Sequence, residues 1–314
     1  MAPQRVLVTG GSGFVAQQLI GRLRREDGVE VLALSRTPTS VGDVTVDPVD
    51  LADERALQEW SAARTSRHGL DGIFHLAAQV PARFDGAEAE QSREANLRMT
   101  AHVLALAQRH RCPLVYASST SVYGGNPPSP CTEQVPPAPG NGYAEGKLAG
   151  EALMTRAHDE TGLITSSLRI SAPYGPTQRL RTVISIFVDA AIAGQVLTVQ
   201  GSGERTQDFT FVTDVAEAFW RAFQHEAVGV YNVSGNSPVS MRSLAELVIE
   251  CVGGDPSRIR VGTASDAQDG YRGVFPTDKA HSAFGFTARV TLREGLRRMI
   301  DARTASLPNA IREA

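Results

Sequence analysis

The first half of the chain alternates short apolar runs with segments of helical length. The runs are RVLVTG (5–10), VEVLALS (29–35), GIFHLAA (72–78), PLVYASS (113–119) and ITSSLRI (164–170). Helical patterns lie between them, near 14–26, 53–67, 91–110 and 143–161. Near-continuous apolar strands need cover on both faces, and parallel strands need a crossover such as a helix. The pattern predicts an α/β fold, a doubly wound parallel sheet with helices on both faces. Such sheets bind ligands beyond the carboxyl ends of their strands. From about residue 171 the rhythm loosens into a helix over 182–194, a strand and helix over 208–223, a strand over 229–234, and amphipathic helices over 243–253 and 292–303. We expect one doubly wound domain over 1–170, to which 207–234 returns, and mainly a smaller second lobe over 171–314.

Composition narrows the function. The net charge of −3 lacks the basic excess of a nucleic-acid binder. No apolar run approaches the roughly 20 residues of a membrane span. Cys112, Cys131 and Cys251 are far apart and form no C-x-x-C, so they read as free thiols of a reducing compartment. The chain enters a strand directly, without the basic and apolar regions of a secretory signal. A cytoplasmic protein is the expectation. The seven His are scattered without metal-ligand spacing, so no metal site is expected. His75, inside an apolar strand, reads as a packed or hydrogen-bonded histidine. Arg22, Arg24 and Arg25 read as a solvated helix face.

The chemistry begins at VTGGSGFVA (8–16), where Gly10, Gly13 and Ala16 fit G-x-x-G-x-x-[GA]. Gly10 permits the tight turn, Gly13 lets a pyrophosphate approach the backbone, and a small third residue lets helix pack on strand. Beside Ser12, the N–H groups of Gly13, Phe14 and Val15 would hold the pyrophosphate at the positive end of the helix. The plain alternative is a glycine-rich turn without a ligand, which this strand–turn–helix context disfavours. An NAD site expects an acid at the end of the second strand, to hold the ribose 2′-hydroxyl. Here Ser35 and Arg36 stand there, a pair suited to a 2′-phosphate. NADP is the expected cofactor, with NAD the alternative; if Arg36 is only surface charge, the preference lapses.

Tyr143 and Lys147, in YAEGK, share one helix face. A nearby ammonium favours phenolate, and the pair can pass a proton to or from a carbonyl or alcohol oxygen. Ser118, Ser119, Thr120 and Ser121 sit at a strand's carboxyl edge. Alone, each motif has an ordinary reading, an amphipathic helix turn and a capped turn.

Together these pieces resemble the extended short-chain dehydrogenase/reductase family, the NAD(P)-dependent sugar-nucleotide epimerases, dehydratases and reductases. The resemblance spans VTGGSGFVA, Asp50–Leu51, HLAA (75–78), SSTSVYG, YAEGK, LRISAPYGP (168–176), VQGSGERTQDFTFVTDVAEA (199–218), GVYNVSGNSPVS (229–240) and the segment from DKAHSAFGF to the last helix. It implies that Asp50 and Leu51 flank the adenine, that Leu76, Ala77, Ala78 and Ala117 line the cofactor cleft, and that Asn96 supports the site. It also implies that Ser119 is the active-site hydroxyl, Tyr143 the acid/base, Lys147 the ribose-binding lysine, and that Pro173 and Tyr174 fall near the nicotinamide.

Three departures matter. The 4,6-dehydratases carry an Asp-Glu pair where this chain has Thr120 and Ser121, which argues against dehydration. The family's R-D-F is Gln207-Asp208-Phe209, so Arg205 or Arg272 would hold the substrate diphosphate. Ala172 replaces an Asn that often touches the substrate phosphates. The expected activity is NADP-dependent reduction of the keto group of a nucleotide-activated 4-keto-6-deoxysugar. The alternatives are a nucleotide-sugar 4-epimerase, a different carbonyl substrate and, from another class, a non-catalytic dinucleotide sensor. Retention of Ser119, Tyr143 and Lys147 speaks against the sensor. The second lobe and QVPARF (79–84) are expected to set substrate choice. A homodimer is expected through TAHVLALAQ (100–108) and LAGEALMTRA (148–157).

Overall fold

A computed structural model describes residues 4–66, 68–81 and 86–306. Its strands are β1 (Gln4–Thr9), β2 (Val29–Ser35), β3 (Thr39–Val41), β4 (Val44–Pro48), β5 (Gly72–His75), β6 (Leu114–Ser119), β7 (Thr165–Ile170), β8 (Pro173–Tyr174), β9 (Leu197–Val199), β10 (Thr206–Gln207), β11 (Thr210–Phe211), β12 (Gly229–Val233), β13 (Val239–Ser240) and β14 (Ile259–Val261). Its helices are α1 (Phe14–Leu23), α2 (Glu54–Thr65), α3 (Gly86–His110), α4 (Gly142–Thr161), α5 (Val183–Ile192), α6 (Val212–Gln224), α7 (Met241–Val252), α8 (Asp278–Phe284) and α9 (Leu292–Ala305).

Eight strands form one sheet in the order β12-β7-β6-β5-β1-β2-β4-β3. All its pairings are parallel except β3 with β4. Side chains alternate along a strand, so β1 serves both faces. Val6 and Val8 join α1, α6 and α8 in one core, while Leu7 packs with α2, α3 and α4 in the other. This is the doubly wound Rossmann-like layering expected. Strand order reverses between β1 and β5, which opens a crevice at their carboxyl ends. A third core, between α5, α7 and α9, belongs to the second lobe. Although α6 and β12 follow that lobe's first elements, they pack on and extend the main sheet.

Several expectations change here. The hairpin of β3 and β4 is additional, and its residues are mostly exposed. Arg22 is not merely solvated: it bridges Glu26 and Glu217, with Glu217 2.7 Å away, and its guanidinium lies 5.9 Å from the Trp220 ring. In the two helices expected to carry a dimer, Val103, Leu104, Leu106, Ala107, Met154 and Ala157 serve the protein's own core. Ala101, Ala105 and Ala152 remain exposed on their outer faces. Among the described residues, no helix is long and apolar enough to cross a membrane.

Candidate active site

The turn between β1 and α1 is built for close approach. Gly10 has φ +72°, and a Cβ there would come within 2.8 Å of the Ala77 backbone. The Gly13 N–H donates to the Gly10 carbonyl at 2.7 Å, which closes the turn. It is therefore used internally, a correction to its expected role as a phosphate donor. Phe14 and Val15 open α1, whose first-turn N–H groups lack intrahelical acceptors and a side-chain cap. Ala16 is 2% exposed in the core under the turn, where a small residue is needed. This bare cradle fits a pyrophosphate.

A histidine ties the turn to the next strand. The Thr9 hydroxyl accepts the Leu76 and Ala77 N–H groups, both at 3.2 Å, and lies 2.8 Å from His75 Nδ1. Thr100 donates to the Asn96 carbonyl at 2.8 Å and sits 3.2 Å from His75 Nε2. With Thr100 donating elsewhere, Nε2 carries the ring proton and Nδ1 accepts from Thr9. Complete burial, reinforced by the Lys147 cation, pulls His75 down to about 3. Asn96 then clasps the loop after β5: its Oδ1 accepts the Gln79 N–H at 2.7 Å, and its Nδ2 donates to the Gln79 carbonyl at 3.0 Å.

The catalytic candidates meet at the ends of β6 and α4. Asn141 caps α4 by accepting the Ala144 N–H at 2.9 Å, which sets Tyr143 in the first turn. Gly150 lets α4 close on β6, since a Cβ there would meet the Tyr116 hydroxyl at 2.4 Å. Lys147 Nζ donates to the Ala117 carbonyl at 2.6 Å and lies 5.8 Å from the Tyr143 ring centre. Ser119 Oγ accepts the Ser121 N–H at 3.2 Å, capping the 3₁₀ turn Thr120–Tyr123 and keeping its own proton available. Burial pulls Lys147 down to about 8, against the Glu151 carboxylate one turn further on. Burial also pushes the Tyr143 phenol up to about 12. The lysine was expected to lower the phenol; burial raises it instead.

These residues line a cavity of about 720 Å³ that adjoins a second of about 620 Å³. Gly10, Gly13, Phe14, Val15, Leu76, Ala78, Ala117, Ser119, Thr120, Tyr143, Lys147, Ala172, Pro173 and Gln207 line the first. Ser12 and Arg205 line the second. Lys147, Arg179 and Arg205 are the charged side chains on these walls, and no carboxylate joins them among the described residues. Ala172 adopts φ +32°, unusual for a residue other than glycine, where the two cavities meet.

Other expected residues stand elsewhere. Ala77 packs beneath Gly10 rather than on the wall. Ser35 is buried and donates to the Thr37 carbonyl, while Arg36 is exposed beside it. Asp50 is exposed and accepts the Ala52 N–H at 2.9 Å. Leu51 packs in the core with Leu57 and Trp60, away from the cavity. Tyr174 is buried in the second lobe's core. Arg272 is exposed and not among the lining residues, donating to the Asp269 and Tyr271 carbonyls at 2.8 and 3.0 Å. Of QVPARF, residues 82–84 lie outside the described residues.

Sequence reasoning missed the second lobe's Gln268 and Tyr271 on the wall, which no local motif marks. It also missed a buried network under the catalytic helix. Glu151 receives Arg169 Nε at 2.9 Å and Nη2 at 2.7 Å, and also the Ser118 hydroxyl. The Arg169 guanidinium lies 4.6 Å from the Tyr123 ring centre.

Comparison with known proteins agrees with this architecture. The sequence model described as the NAD dependent epimerase/dehydratase family matches residues 6–234. UDP-glucuronic acid decarboxylase 6 of Arabidopsis thaliana is 29% identical over 311 residues, covering 93% of this chain and 86% of that protein. UDP-glucose 4-epimerase of Mycolicibacterium smegmatis is 27% identical over 321 residues, covering 95% and 97%. The crystal structure of Thermus thermophilus UDP-glucose 4-epimerase in complex with NAD is 28% identical, with a TM-score of 0.83 over 96% of this chain and 100% of that one. With the glycine turn, the tyrosine–lysine helix and the matched family model in one chain, this protein belongs to the NAD dependent epimerase/dehydratase family, the extended short-chain dehydrogenase/reductase enzymes.

Proposed function

We propose that the protein is an NADP-dependent ketoreductase that reduces the 4-keto group of a nucleotide-activated deoxysugar. The observation that carries this reading is Arg36, an exposed cation at the carboxyl end of β2, where an NAD site would carry an acid. A guanidinium there suits a 2′-phosphate. The main-sheet half of the cleft would hold the dinucleotide, with Phe14 and Val15 N–H on its pyrophosphate and Lys147 on its ribose. The nicotinamide, when bound, supplies the hydride.

Tyr143 gives its phenolic proton to the keto oxygen. Ser119 donates a hydrogen bond to the same oxygen and stabilises the alkoxide that develops there. Lys147, held to the Ala117 carbonyl, offers the charge that stabilises the phenolate left on Tyr143, which then regains a proton from solvent. Among the described residues these walls carry no carboxylate, which suits this redox step better than dehydration, a reaction that needs an acid and a base at neighbouring sugar carbons.

A second reading, 4-epimerisation, draws support from the relatives named as UDP-glucose 4-epimerases. It uses the same three residues in both directions. Incubating the purified enzyme with NADPH and a dTDP-4-keto-6-deoxyhexose separates the two. Stoichiometric loss of NADPH absorbance is the expected result. Interconversion of UDP-glucose and UDP-galactose without added cofactor would favour the epimerase and displace the reductase. UDP-glucuronate belongs in the same panel, and release of CO₂ from it would displace both. Pairing through the Ala101, Ala105 and Ala152 faces as a homodimer forms part of the proposal.

A further inference from the structure

The second-lobe cavity carries two guanidinium groups, and their situations differ. Arg205 is already engaged: its Nε lies 3.1 Å from Asp266 Oδ2, and its Nη1 donates to Gln268 Oε1 at 2.8 Å. Most of its charge is matched within the protein, although its buried Nε, ion-paired with Asp266, makes no hydrogen bond. Arg179, in the segment between β8 and α5, lines the same cavity, is exposed, and has no ion pair or hydrogen bond among the described residues. Its neighbour Gln178 donates through Nε2 to Thr182 Oγ1 at 3.1 Å, while its Oε1 is buried without a partner. A buried acceptor left unpaired calls for a donor that the protein itself does not provide. This wall therefore presents an unmatched planar cation beside an unmatched acceptor.

We propose that Arg179 anchors the diphosphate of the substrate, with Gln178 taking a hydroxyl or N–H of the same molecule. The inference rests on the reading of this cleft as a nucleotide-sugar site. It moves the anion contact away from Arg205 and Arg272, to which the sequence pointed. A guanidinium fork matches two phosphoryl oxygens, and its charge has no internal competitor here. Arg205, fixed by Asp266 and Gln268, bounds the site instead of gripping the ligand. The cofactor's pyrophosphate is the other diphosphate within reach, because Ser12, Gly13 and Phe14 line the same cavity.

Calorimetric titration of NADP-saturated protein with UDP and with dTDP tests this. Arg179→Ala should weaken binding of the diphosphate that the wild type prefers by about 10- to 100-fold, with Arg179→Lys intermediate. Arg272→Ala should stay within about twofold of the wild type, as should the NADP affinity of Arg179→Ala. Unfolding temperatures of the variants check that the exposed substitution leaves the fold intact. If Arg179→Ala binds UDP and dTDP like the wild type, the proposal falls and the nucleotide-sugar reading stands. If it loses NADP affinity instead, the contact belongs to the cofactor and the proposal also falls. A wild type that binds neither diphosphate overturns both.

Discussion

Arg36 and His75 show how far a single residue can be read. The preference for NADP rests on Arg36, which is exposed and free to swing onto a phosphate. A charge-assisted bond of this kind contributes about 1.5–3 kcal/mol, so Arg36→Ala should weaken NADP binding by about 10- to 100-fold. NAD binding should hardly change, as fluorescence titration with each nucleotide would reveal; equal losses for both would end the NADP reading. His75 has a folded pKa near 3 against about 6.5 in the unfolded chain. Between these values the unfolded state binds the extra proton, so stability falls as pH falls. From pH 6.5 to pH 5 this single group should remove about 1.5 kcal/mol. Urea titrations of the wild type and His75→Gln at both pH values check it: the variant should lack that share of the acid loss, and parallel losses would refute the assignment. Much of the site was legible because its residues fall in short local patterns, such as Gly10 to Ala16 and Tyr143 to Lys147. Leu51, packed in the core, and Arg272, bonded to its own loop carbonyls, stand off the cavity walls, because no spacing tells which way a side chain turns.

The helix α4 shows what an element contributes that its residues do not. One face presents Tyr143 and Lys147 to the cleft, and one turn on, Glu151 goes down into the protein to meet Arg169 and Ser118. Side chains of the pair are only 4% and 5% exposed, so neither charge can be left alone. Glu151→Leu should cost about 3–5 kcal/mol by stranding the guanidinium, whereas Glu151→Leu with Arg169→Met should recover most of that. Chemical denaturation of the three proteins measures it, and additive losses in the double variant would show that the pair is not coupled. This network was hidden from sequence reasoning because its members lie 18 and 33 residues apart. The main elements were legible, since β1, β5, β6 and β7 are largely buried runs, β2 is a half-buried to buried one, and helices of ten residues or more lie between them. The β3–β4 hairpin was not, because its strands are short and most of its residues face solvent.

At the scale of the whole molecule, the two lobes contribute different chemistry to one cleft. The sheet supplies the glycine turn, the hydroxyl of Ser119 and the tyrosine–lysine pair. The second lobe supplies Gln207, Gln268 and Tyr271 across from them, and Arg179 and Arg205 in the adjoining cavity. Cations without carboxylates along these described walls suit ligands that carry phosphates, and Val80 and Leu180, 44% and 57% exposed, add apolar surface to the same walls. The central claim is that hydride passes directly to a sugar carbon in this cleft while Tyr143 supplies the proton. It is tested most directly by supplying NADPH deuterated at nicotinamide C4, on each face in turn, together with a dTDP-4-keto-6-deoxyhexose, and locating the label in the product. One of the two labelled cofactors should deliver a single deuterium to sugar C4, and Tyr143→Phe should slow that transfer by about 100- to 10,000-fold. A reduced product without deuterium at C4 from either cofactor would contradict the account.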